Sequence, residues 1–279
     1  MIVGSVLISF NGLVIRNIDF ADSWTVIFYR AYAFTLAIFL FLFFKYKMNV
    51  FKIITKTGPP GFFAGLILGT SNICFIMSMS HTTVANTVFT ISLIPFITAI
   101  LAVIFLNEKL ERITIYTMIT AFIGILIMFY GATQTGQLLG NLLALVTAFS
   151  FSIFAIILRF YKNIDMLPCL LLSGVIAMSI SFLVKMGALQ INFHDIFLCF
   201  LLGGLMSGFV NCCFVFATRH IKAAEVTLFF FIEIVLGPIW VWLFANEIMS
   251  KNTFFGGCLI LTSLLVRALY EKFFMKTNF

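Results

Sequence analysis

Charge at membrane depth is costly and is kept where it is used, so ionisable side chains inside long apolar runs are the first candidates for chemistry. Glu233 lies ten residues into the apolar run 223–245. A carboxylate there could bind a substrate amine or carry a coupled proton. The competing reading is a structural ion pair with Arg30. Arg30 itself sits near one end of the run 24–44, where snorkelling or a helix–helix bond is favoured over substrate contact. Glu233, Gly237 and Trp240 are spaced i, i+4, i+7 and share one helical face, with Phe229 and Phe230 a turn earlier. An acid flanked by aromatics suits an amphipathic or zwitterionic metabolite through cation–π contact. With 37 phenylalanines in the chain, aromatic neighbours are weak support by themselves.

Three asparagines add neutral donors and acceptors: Asn11, Asn72 and Asn211. Gly69 and Ser71 flank Asn72, and Ser207 and Gly208 flank Asn211, so close helix approach with an inter-helix hydrogen bond competes with cavity lining. Pro95 lies midway along one run, and Gly237-Pro238 lies in another. A mid-helix proline frees a carbonyl, which lipid tolerates only where protein or a cavity satisfies it. These positions are expected to kink their helices beside a binding site, with a ligand-free hinge as the alternative.

Other chemistries find no support. No G-x-x-x-x-G-K-[ST] loop cradles nucleotide phosphates, which argues against an ATP-driven pump, and neither H-E-x-x-H nor G-x-S-x-G occurs. His81, His194 and His220 sit at the ends of apolar runs. The six cysteines lie within runs and show no C-x-x-C spacing, reading as small core residues. The chain is therefore expected to be no enzyme, with no metal and no cofactor.

The elements that must position these residues follow from composition. Of 279 residues, 62% are apolar and 10% charged, and mean hydropathy is +1.16. Soluble domains average roughly 45–50% apolar and about 25% charged, so the solvent must be largely lipid. Apolar runs fall at 1–18, 24–44, 60–80, 86–106, 113–132, 138–158, 166–186, 196–217, 223–245 and 253–271. Each is close to the roughly 20 residues a helical span needs, which predicts an all-α integral membrane protein with ten transmembrane helices. Residues 131–137 form the most loop-like stretch, and the first run lacks the basic flank and cleavage site of a signal peptide.

Counting Lys and Arg in alternate connections puts thirteen on one side, among them Lys45, Lys109, Arg159, Arg219 and Lys222. Only Arg16, Lys185 and Lys251 fall on the other. That bias places both termini in the cytoplasm. It also accounts for the net charge of +7 without nucleic acid as a partner.

Sliding the chain along itself by 139 residues aligns 65–108 with 204–247 without a gap. Matches include Asn72 with Asn211, His81 with His220, and Asn107-Glu108 with Asn246-Glu247, which apolar bias alone would not produce. Each half holds an odd number of runs, five, so the second must enter the membrane inverted. The expected units are 1–133 and 136–279. Inverted repeats surround a shared crevice used for alternating access.

With these residues in view, the sequence resembles the drug/metabolite transporter superfamily, specifically its ten-span EamA family. The carrying residues are Pro95-Phe96-Ile97-Thr98 and Phe105 to Leu110 in the first half. Their counterparts are Glu233 to Pro238 and Trp240 to Glu247, together with Gly140 to Leu145 opening the second half. The first run departs from the family in lacking a tryptophan near its start. The resemblance implies a solute carrier with a central cavity built by both halves, and it does not name the substrate. The expected function is secondary transport of a small organic metabolite, an amino acid or similar, with a coupled proton as a candidate partner. The alternative is a non-transporting scaffold or assembly factor. A central cavity containing Glu233, Asn72 and Asn211 would favour transport, and a dry, fully packed centre would favour the scaffold. The expected address is a bacterial-type inner membrane.

Overall fold

The architecture is that of a computed structural model, which describes residues 1–18, 21–47, 50–82, 84–130, 138–245 and 251–270. Every regular element among them is helical. In chain order these are α1 (Ile2–Ile8), α2 (Asn11–Arg16), α3 (Ser23–Tyr46), α4 (Val50–His81), α5 (Val84–Ile91), α6 (Ile94–Leu106) and α7 (Arg112–Tyr130). After the undescribed 131–137 come α8 (Leu138–Phe160), α9 (Leu167–Lys185), α10 (Phe193–Phe200), a π-helical segment (Leu201–Gly208), α11 (Phe209–His220), α12 (Ala223–Thr227), α13 (Phe230–Ala245) and α14 (Lys251–Tyr270).

Five stretches are long and apolar enough to cross a membrane: Ser23–Tyr46, Lys52–His81, Leu138–Phe160, Leu167–Lys185 and Phe193–His220. The other runs form shorter or interrupted helices. The run 1–18 breaks at Ser9-Phe10, 86–106 at Ser92-Leu93, and 223–245 at Leu228-Phe229. The last two breaks are bridged by tight i→i−3 bonds, Leu93 N–H to Thr90 O at 3.2 Å and Phe231 N–H to Leu228 O at 3.1 Å. Pro95 falls in the first turn of α6, where its missing N–H costs nothing. Gly58, at φ 60, bends α4 ahead of Pro59 and Pro60.

Helices α3 and α9 lie side by side and run antiparallel. Asp165, leading into α9, meets Lys45 at the end of α3 (3.5 Å), and Lys185 at the end of α9 meets Asp22 at the start of α3 (3.2 Å). The repeat aligns these same two helices. Helix α4 packs on α8 and α9, and α7 packs on α14, its own repeat mate. There Gly124 lies so close to Gly256 that a Cβ would stand 2.8 Å from its carbonyl. The main core joins Phe34, Ile38, Leu68, Phe154, Leu170 and Phe214; a second joins Ala99, Met118, Phe231, Ile234 and Ile260. Outside these cores Phe44, Ile104, Phe105 and Leu183 stand exposed, an apolar exterior suited to acyl chains. The chain is a multi-pass membrane protein.

Candidate functional site

The break between α12 and α13 changes the setting of Glu233. The carboxylate does not sit mid-helix but in the first turn of α13, directly after the interruption. The positive end of a helix dipole favours an anion at that position. Glu233 is partly buried, and no hydrogen bond or ion pair joins it to another described residue. The ion pair with Arg30 weighed from sequence is not formed.

One turn on, Gly237 faces the carbonyl of Ser9, where an added Cβ would meet it at 3.8 Å. Trp240 donates its indole N–H to Ser9 Oγ at 2.8 Å and stacks on Phe10, ring centroids 4.3 Å apart. The face shared by Glu233, Gly237 and Trp240 therefore packs on the broken junction of α1 and α2. The expected interruption at Gly237-Pro238 is corrected: α13 runs helical across both residues and the break falls at Leu228-Phe229. The same helix packs on α1 and α2.

Of the two readings favoured for Arg30, the helix–helix bond is formed and snorkelling is not: only 9% of it is exposed. Its Nη2 donates to Ser207 Oγ at 2.9 Å, its Nη1 reaches Asn72 Oδ1 at a long 3.4 Å, and the guanidinium stands 5.7 Å from the Phe75 ring centroid. No carboxylate among the described residues pairs with it. The chain continues through the π segment, since Asn211 Nδ2 donates to the Ser207 carbonyl at 2.9 Å. Arg30 and Ser207 thus link the two asparagines that the repeat equates. A small void beside this network is lined by Arg30, Asn72, Ala31, Gly174 and Ala177, and reaches neither Asn211 nor Glu233. Asn11 and Asn211 each bury a side-chain oxygen that no donor among the described residues meets.

Sequence reasoning noted Ser207 only as a small neighbour and missed Ser9 and Phe10. A hydroxyl one turn before Asn211 was the available signal for the first. It also missed Asp165, which collects Lys45, the Tyr46 hydroxyl and Arg219 Nη2 (2.6 Å) at one end of the bundle. Asn107 explains half of the repeated Asn-Glu pair. At φ 50 it ends α6 with a left-handed turn, after which Glu108 N–H bonds Ala102 O at 3.2 Å. Glu108 then pairs with Arg159 at 2.6 Å. Its mates Asn246 and Glu247 lie outside the described residues. His81 bonds the carbonyl of Met77 and the His194 side chain is exposed, so neither builds a site. No group of three metal-binding side chains occurs among the described residues.

The sequence profile of the EamA-like transporter family matches residues 1–130 and 138–268, once in each half. The chain belongs to that family. EamA proteins are membrane transporters, which implies a small-molecule substrate and contact with lipid. A solved structure, titled "Crystal structure of protein", superposes with a TM-score of 0.78 at 12% identity. The likeness covers 96% of this chain and 95% of that one, and at such identity it shows the fold alone. No curated protein matches the EamA chain.

Proposed function

We propose that this EamA protein is a secondary transporter that moves a small organic metabolite, an amino acid or similar, across a bacterial-type inner membrane. In this reading ten membrane passages form two inverted five-helix halves, 1–133 and 136–279, and both termini face the cytoplasm. Alternating access follows from rocking the halves about a shared crevice. The antiparallel packing of α3 on α9 supports inversion, because the repeat aligns these two helices. The interruptions in runs 86–106 and 223–245 support a site between the halves, since discontinuous helices bring their ends to substrates and ions.

Glu233 carries the proposal: a carboxylate at the head of a broken helix with no partner among the described residues, available to a substrate amine or a coupled proton. The decisive experiment is uptake into proteoliposomes by the purified protein, after a thermal-shift screen against a metabolite library. Glu233→Gln should reach the membrane at normal level yet lose substrate binding or the pH dependence of flux. Normal kinetics and normal pH dependence in a well-expressed variant would end the role given to Glu233. A library in which no compound is accumulated by wild-type vesicles would end the transport reading.

A further inference from the structure

We infer that the guanidinium of Arg30 is the docking point for a carboxylate of the transported molecule, an inference that rests on the transport reading above. A buried cation needs a compensating anion, and among the described residues Arg30 has only a serine hydroxyl, a distant asparagine oxygen and the face of Phe75. Two of its five N–H donors are engaged, one of them weakly.

The repeat itself shows that helix packing does not require this charge. Arg30 aligns with Cys169, and Ser207 aligns with Leu68. In one half Gly65 abuts the carbonyl of Cys169, where an added Cβ would stand at 2.9 Å. In the other, Gly203 abuts the carbonyl of Arg30, where it would stand at 2.0 Å. The same backbone contact, within one residue of register, is thus built once around a buried thiol and leucine and once around a guanidinium and serine. Packing is satisfied by the neutral version, so the charged version is left for a ligand.

The surroundings set the ligand's character. The void beside Arg30 has walls of Ala31, Phe34, Gly174 and Ala177. The void is only about 10 Å³, room for about one water, and a Cβ on Gly174 would stand 2.2 Å from Thr35 Oγ1, so the helices must part for a ligand to enter. The guanidinium fork matches a carboxylate in bidentate fashion. The part of the cargo that meets Arg30 is therefore a carboxylate. Asn72 Oδ1 faces the guanidinium and orients it, as a positioning residue.

The test uses the purified full-length protein in detergent and three matched sets of probes. These are phenylalanine, leucine and methionine, each as the free acid, the primary amide and the decarboxylated amine, with 3-phenylpropionate added. Binding is read by thermal shift and titration calorimetry. At least one acid should bind about tenfold or more tightly than its amide, the worth of one charge-assisted hydrogen bond. Arg30→Gln should erase that preference, and Arg30→Lys should retain part of it. Equal binding of acid and amide, or an acid preference that survives Arg30→Gln, overturns the inference. If Arg30→Gln misfolds, Arg30→Lys carries the test, and an acid-to-amide ratio unchanged from wild type in that variant overturns the inference. If no probe acid binds while uncharged or cationic library compounds are accumulated in proteoliposomes, the Arg30 assignment falls and transport survives. If neither occurs, both fall.

Discussion

At Arg159 one guanidinium serves three acceptors: Glu108 Oε1 at 2.6 Å and the carbonyls of Thr218 and Arg219, both at 3.2 Å. Both charged side chains are mostly buried, and Glu108 Oε2 meets no donor among the described residues. Removing the cation would strand a carboxylate at the helix ends. Arg159→Gln should therefore cost about 3 kcal/mol, the lower end for a broken buried pair. Lys45→Gln removes a longer, more exposed contact to Asp165 and should cost under about 1 kcal/mol. Thermal unfolding of the two variants in one detergent gives the comparison; equal losses would mean that burial does not govern these pairs. Arg30 shows what could and could not be read at this scale in advance. Its presence in an apolar run was visible, but its partners lie 42 and 177 residues away and only folding names them.

Helices that must approach closely depend on which face carries glycine. Gly203 and Gly204 are neighbours, yet an added Cβ at Gly203 would overlap the Arg30 carbonyl, whereas at Gly204 it would make ordinary contact with Ala33 O at 3.6 Å. Gly203→Ala should push α3 off the π segment at a cost of about 1–3 kcal/mol, and Gly204→Ala should be nearly silent. Thermal stability of the pair tests this, and equal behaviour would refute the close approach. Element by element, legibility followed the chemistry of backbone interruption. The break before Pro95 could be foreseen because proline cannot donate an N–H, though it opens α6 rather than bending a continuous helix. The break at Leu228-Phe229 carries no glycine or proline, and the intact stretch across Gly237-Pro238 carries both. There packing on α1 and α2 overrides local preference. The π segment, Leu201 to Gly208, also has no distinctive code: its aligned partner, 62–69, is α-helical with similar small residues.

For the molecule as a whole, the charged ends are unequal. Lys45–Asp165–Arg219, Glu108–Arg159 and Glu111–Lys222 tie residues of the first half to residues of the second at the lysine- and arginine-rich end. At the opposite end Asp22–Lys185 does so, helped by the Ala21 N–H bonded to Asp195. Partial burial opposes charge on Lys222, but hydrogen bonds and attraction from Glu111 and Glu225 outweigh it and raise its pKa above 10.5. Its contribution is thus complete below pH 10.5 and is lost as pH rises through the folded value. Burial likewise opposes the charge on Asp22, but hydrogen bonds from Thr25 and Lys185 prevail and lower its pKa below 3.8. Its contribution is present above that value and disappears as pH falls through the folded pKa. The difference in melting temperature between wild type and Lys222→Gln should accordingly be flat from about pH 5 to about pH 9. A step within that window would contradict the assigned partners. Orientation has its own check: reporter fusions after Thr57 and Lys109 should read cytoplasmic, and fusions after Asp22 external.

The widened winding of Leu201–Gly208 makes the rod from Phe193 to His220 shorter than an all-α rod of the same residues. A π turn packs its residues into a shorter, fatter coil than an α turn. Rewinding these eight residues would lengthen the rod and swing Asn211 about its axis, like a screw with a little travel left. Arg30, gripping Ser207 inside that coil, is placed to act as the catch. Spin labels at His194 and His220 should therefore report two separations that exchange when a bound acid releases the catch, while labels at Phe62 and Ser80 on α4 report one. A single unchanging distance on both rods would mean that the coil is fixed.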